Sequence, residues 1–153
     1  MELLRRVSSF GAPIQDLKNI YVLFIRSLLE QSATLWHSSL TKENEEDLER
    51  VQKNAFRNIL QDKYETYQNA LNILDMEKLS DRREELCLSF ALKCLKNPKT
   101  ANMFPENKKT HQMETRDPEK YEVQHANNER LKNSAIIYMQ NLLNIHENNQ
   151  GQK

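Results

Sequence analysis

The sequence predicts an all-α fold: a small irregular helical bundle of about four to five helices, followed by an extended C-terminal arm. Three observations carry that expectation. Only two glycines and four prolines punctuate 153 residues, far fewer than a turn-rich β fold would use. Leu, Glu, Lys and Gln abound, and their straight side chains lose little freedom in a helix. Apolar residues also recur at spacings of three and four in several stretches, which lines them up on one helical face. With 38% hydrophobic residues the core is modest, and the 29% that are charged leave broad solvated faces.

A short amphipathic start around Leu3, Leu4 and Val7 ends at Gly11. Pro13 suits the first turn of the next helix, in which Ile14, Leu17, Ile20, Phe24 and Leu28 form the expected core stripe, widened by Val22, Ile25 and Leu29. Trp36-His37-Ser38-Ser39 ends that segment. Thr41 then reads as an N-cap, with Glu43, Glu45, Glu46 and Asp47 near the positive end of the helix dipole. The helix it opens runs to about Leu60, with Leu48, Val51, Ala55, Ile59 and Leu60 buried and with Glu46–Arg50 and Glu49–Lys53 as i,i+4 pairs. Tyr67, Ala70, Leu71 and Leu74 mark a shorter helix. Ser80 is the expected cap of a longer one carrying Leu86, Cys87, Phe90, Ala91, Cys94 and Leu95, which Pro98 stops. Residues 1–97 thus form the helical domain. From 98 to 133 periodicity fades, Pro105 and Pro118 intervene, and an extended or flexible segment is expected. Residues 134–153 begin at a Ser134 cap and give a short docking helix, with Ile136, Ile137, Met139, Leu142 and Leu143 apolar, before a polar tail.

Several function classes are disfavoured by composition. Lys plus Arg and Asp plus Glu number 22 each, so no net field draws the chain to a phosphate backbone, and no segment is a basic tail. Tyr21 to Leu29 is interrupted by Arg26 and is too short to span a bilayer, so no membrane association is expected. The cysteines, Cys87 and Cys94, lie two helical turns apart, which suits buried thiols rather than a chelate. Neither His111 nor His125 stands at zinc-ligand spacing from them, so no metal site is expected. An intracellular location follows from the same cysteine usage and the lack of glycosylation acceptors. Two isolated glycines, Gly11 and Gly151, cannot build a phosphate loop, and no nucleophile-elbow motif occurs. No cofactor and no catalytic residue are expected.

Arg50, Lys53 and Arg57 fall on one helical face, opposite Val51, Ala55 and Ile59, where they can reach phosphates. The other reading of that face is a solvated surface balanced by Glu46 and Glu49. Trp36-His37 admits a base-stacking role, but a Trp at the end of an apolar helix is more commonly core.

The run Asp16-Leu17-Lys18-Asn19-Ile20-Tyr21, then Phe24-Ile25-Arg26-Ser27-Leu28-Leu29-Glu30 and Trp36-His37, is followed by Leu48-Glu49-Arg50-Val51-Gln52-Lys53-Asn54-Ala55-Phe56-Arg57. Together with Arg82-Arg83-Glu84, Lys93-Cys94 and the residues from Asn128 to Asn144, this resembles the C-terminal region of a non-LTR retrotransposon reverse transcriptase, jockey-like in pattern. The resemblance spans nearly the whole chain. It departs from the family at Asn54 and Asn58, and near Ala135 and Ile137, where the family often has Pro. It implies a non-catalytic, thumb-like segment over residues 1–97, contacting RNA or an RNA/DNA hybrid through Arg50, Lys53 and Arg57 and packing on the polymerase core of the parent polypeptide. Two-metal polymerisation needs paired carboxylates, and the family's aromatic-Ala-Asp-Asp turn is absent. A helical protein-interaction module, using the faces around Phe24 and Leu28 or around Ile136 and Leu143, is the alternative.

Overall fold

The computed structural model describes residues 2–107 and 120–151, and among them helices dominate with no strand. The expected all-α class holds. His111 and Pro118 lie outside the described residues. The chain divides into two compact units, Met1–Ala33 with Leu40–Arg83, and Thr34–Ser39 with Glu84–Lys153.

The first unit opens with α1 (Glu2–Ser9), then α2 (Ile14–Ile20), a π-helical turn over Tyr21–Arg26 and α3 (Ser27–Glu30). The π turn corrects the expected core stripe. Hydrogen bonding from i to i+5 widens the helix and delays the facing positions by one residue. The stripe that begins at Leu17 and Tyr21 therefore continues through half-buried Ile25 and Arg26 to Leu29 and Glu30. Phe24 and Leu28, expected in the core, are 60% and 70% exposed, and Leu23 beside them is 66% exposed.

α5 (Lys42–Leu60) starts where expected, with the Thr41 hydroxyl accepting the Asn44 N–H at 3.2 Å. Its buried side consists of Gln52, Ala55, Phe56, Ile59 and Leu60, whereas Val51 is only half-buried. Phe56 was absent from the expected stripe, yet its ring is fully buried, edge-on to Tyr21 at 5.6 Å between centroids. Gln61 ends the helix at a positive φ of 49°, and a 3-10 turn over Gln61–Lys63 turns the chain back. α6 (Tyr67–Ile73) follows, capped by Thr66. Leu4, Leu17, Tyr21 and the buried residues of α5 and α6 close this core. Each large apolar side chain buried there contributes about 1.5–3 kcal/mol.

The other unit contains α4 (Ala33–Trp36) from Thr34 onward, most of α7 (Leu79–Lys96), α8 (Glu129–Lys132) and α9 (Ala135–Gly151). α7 ends two residues before Pro98. Cys87, Ala91 and Cys94 pack with Phe104, Tyr121, Met139, Leu142 and Leu143, and both cysteines are buried thiols. Around Met103 and Tyr121 the weakly periodic stretch is held by polar side chains of α9. Asn144 accepts from the Tyr121 N–H at 2.8 Å and donates to the Tyr121 carbonyl at 3.0 Å, imitating a strand neighbour, while Gln140 donates to the Met103 carbonyl at 3.2 Å. Among the described residues an antiparallel bridge joins Glu106 and Tyr121.

Candidate nucleic-acid interface

The orientation of α5 is set by polar contacts on its inner side. Gln52 is fully buried. Its carbonyl oxygen accepts from the Tyr21 hydroxyl at 2.6 Å, and its amide donates to the Tyr67 hydroxyl at 3.0 Å and to the Glu77 carbonyl at 2.8 Å. Tyr67 in turn donates to Glu49 at 2.5 Å, and the second oxygen of Glu49 accepts the Ser80 N–H at 2.9 Å. Glu49 therefore does not serve Lys53 as an i,i+4 partner. It holds the first turn of α7, where the positive helix end favours an anion. Ser80, expected to cap α7, instead lies inside it. Burial pushes the Tyr21 and Tyr67 phenols well above the ordinary tyrosine range, with the Glu49 hydrogen bond adding to the effect at Tyr67.

With α5 fixed in this way, Arg50, Lys53 and Arg57 share its outer side, at residue offsets that span about 60° of helical arc. Their surroundings differ. Arg50 is held by Asp47 at 2.7 Å in an exposed i,i+3 pair, in place of the expected pairing with Glu46. Lys53 lies over the Tyr67 ring, 5.1 Å from its centroid, and Phe56 packs near the same ring at 6.0 Å. Arg57 lies over the Tyr64 ring at 5.3 Å, and its guanidinium donates to the Asn54 side-chain carbonyl at 3.3 Å. Among the described residues neither Lys53 nor Arg57 forms an ion pair with a carboxylate.

The sequence reading located the three cations but missed Asn54, Tyr64 and Tyr67 as their neighbours. Tyr64 and Tyr67 come back beside α5 only because the chain reverses at Gln61, and no glycine or proline there announces the turn. Asn54, three residues earlier on α5, is the residue that restrains Arg57.

Elsewhere, His37 meets Tyr138 edge-on at 5.4 Å, and Trp36 is half-buried. Of the faces proposed for partner helices, Phe24 and Leu28 are exposed, whereas Leu143 is fully buried in its own unit. Among the described residues no cluster of three or more His, Cys, Asp or Glu side chains could hold a metal ion, and no helix is long and apolar enough to cross a membrane. No protein-family model matches the sequence, and neither the curated proteins nor the solved structures searched contain a significant match.

Proposed function

We propose that this chain is a non-catalytic helical segment, derived from the C-terminal region of a retrotransposon reverse transcriptase, that contacts RNA or an RNA/DNA hybrid through the outer side of α5. The observation that carries the reading is the line of Arg50, Lys53 and Arg57 with Tyr67 and Tyr64 beside it, since cations interleaved with aromatic rings suit the backbone and bases of a nucleic acid. The resemblance over the same stretch supplies the context, and the polymerase core of the parent polypeptide would then be a further partner.

The test is binding of the purified chain to a short structured RNA and to an RNA/DNA hybrid across a salt series. Affinity should be micromolar and fall with salt, because neutralised phosphates release counterions. Replacing Arg50, Lys53 and Arg57 together with Glu should abolish it. Unchanged affinity in the triple variant would sink the proposal. The second reading, a module that binds a partner helix, draws support from Leu23, Phe24 and Leu28, large apolar side chains exposed along the π turn and α3. A chain that ignores nucleic acid at low salt would favour it.

A further inference from the structure

Resting on the nucleic-acid reading above, we infer that the α5 surface takes a single strand with an unpaired base, stacked on the guanidinium of Arg57, rather than a closed duplex. The inference starts from how poorly this surface is equipped to read phosphates alone. Arg50 is already neutralised by Asp47 at 2.7 Å. Arg57 stands in the last turn of α5, where the negative end of the helix dipole opposes an approaching phosphate. At most two cations, Lys53 and Arg57, remain for counterion release.

What the surface does offer is a restrained, exposed planar cation. Arg57 is exposed, lies over the Tyr64 ring at 5.3 Å and is tied to Asn54 at 3.3 Å, so ordering its side chain is partly done before any ligand arrives. An arginine plane backed by an aromatic ring presents its outer side to a base, and every base has a π face to match it. Tyr67 cannot take that part. Its hydroxyl is held by Glu49 and Gln52, and its ring already neighbours Lys53 at 5.1 Å and Phe56 at 6.0 Å. Bases inside a duplex are stacked on one another and do not present a free face, so the ligand class is unpaired RNA or DNA. Arg57 is the contacting residue, and Tyr64 and Asn54 are positioning residues.

The experiment uses the full chain with two probes: a 12-nucleotide uridine-rich RNA carrying one 2-aminopurine, and a blunt RNA duplex of the same length. The single strand should bind about tenfold more tightly than the duplex, with a log–log salt slope of roughly −1.4, the value for two contacts on a single strand. Its 2-aminopurine emission should change on binding, as a stacked base requires. Arg57→Lys keeps the charge and removes the plane. It should weaken single-strand binding about tenfold and erase the emission change, while leaving duplex affinity and the far-UV circular dichroism as they were. Tyr64→Phe should behave as wild type, and Tyr64→Leu should follow Arg57→Lys. Equal affinity for both probes, or an Arg57→Lys variant that still binds and perturbs the fluorophore, overturns the stacking inference while leaving the broader nucleic-acid reading intact. Absence of binding to either probe overturns both.

Discussion

Replacing Gln52 with Leu tests whether the buried polar contacts organise the first unit. The side chain volume hardly changes, but three hydrogen bonds disappear: from the Tyr21 hydroxyl, to the Tyr67 hydroxyl and to the Glu77 carbonyl. Tyr67 keeps its bond to Glu49, so its loss is small. The Tyr21 hydroxyl becomes a buried orphan at about 1–3 kcal/mol, and the part-buried bond to the carbonyl of exposed Glu77 forfeits about 0.5–1.5 kcal/mol. Burying the leucine methyls returns about 1 kcal/mol. The net expectation is a destabilisation of about 2 kcal/mol, which lowers Tm by roughly 4–8 °C in a chain of this size. Urea unfolding followed by far-UV circular dichroism measures it. Tyr21→Phe completes the cycle, since the double variant has no orphaned hydroxyl and should cost about 1–2 kcal/mol less than the sum of the single changes. A Gln52→Leu chain within about 0.5 kcal/mol of wild type, or strictly additive costs, would refute the idea that these bonds act as a connected set.

The elevated Tyr21 phenol predicts alkaline sensitivity. The unfolded chain ionises this group near its ordinary value of 10.0 while burial keeps the native form neutral, so stability is intact below about pH 10 and is lost above it. The slope contributed is up to about 1.4 kcal/mol per pH unit, and Tyr21→Phe should flatten a plot of urea midpoint against pH between 9 and 11.5. Two phenylalanines that helical periodicity alone misplaces give a paired contrast. Phe56→Ala should cost about 3–5 kcal/mol by emptying a buried ring site, whereas Phe24→Ala, at 60% exposure, should stay within about 0.5 kcal/mol in the same urea titration.

The fold class was legible because propensity and periodicity agree along most of the chain. The Thr41 cap, the extent of α5 to Leu60, the stop at Pro98 and the buried thiols of α7 all follow from local rules. What could not be read depends on tertiary partners. Gln52 and Glu49 look like surface residues in a helical pattern, and the first is buried and the second half-buried only because Tyr21, Tyr67 and the start of α7 converge on them. The outer side of α5 was legible as a line of three cations. Its division into a neutralised Arg50 and two ring-backed neighbours was not, since Tyr64 and Tyr67 lie beyond the turn at Gln61. Phe24 and Leu28 were misplaced for a different reason, because 3.6-residue periodicity fails wherever hydrogen bonding shifts by one residue.

That shift bears on how this stretch can change over generations. An ordinary helix that loses one residue rotates everything downstream by about 100° and scrambles its contacts. The turn over Tyr21–Arg26 already carries one residue more than an α-helix would need to bring Arg26 and Glu30 beneath Tyr21. Losing one residue between Tyr21 and Ile25 would convert the wide turn to regular α geometry and leave the Arg26–Glu30 pair and its neighbours facing as they do now. The segment thus contains a spare position, at which a codon deletion is absorbed locally instead of being transmitted along the helix.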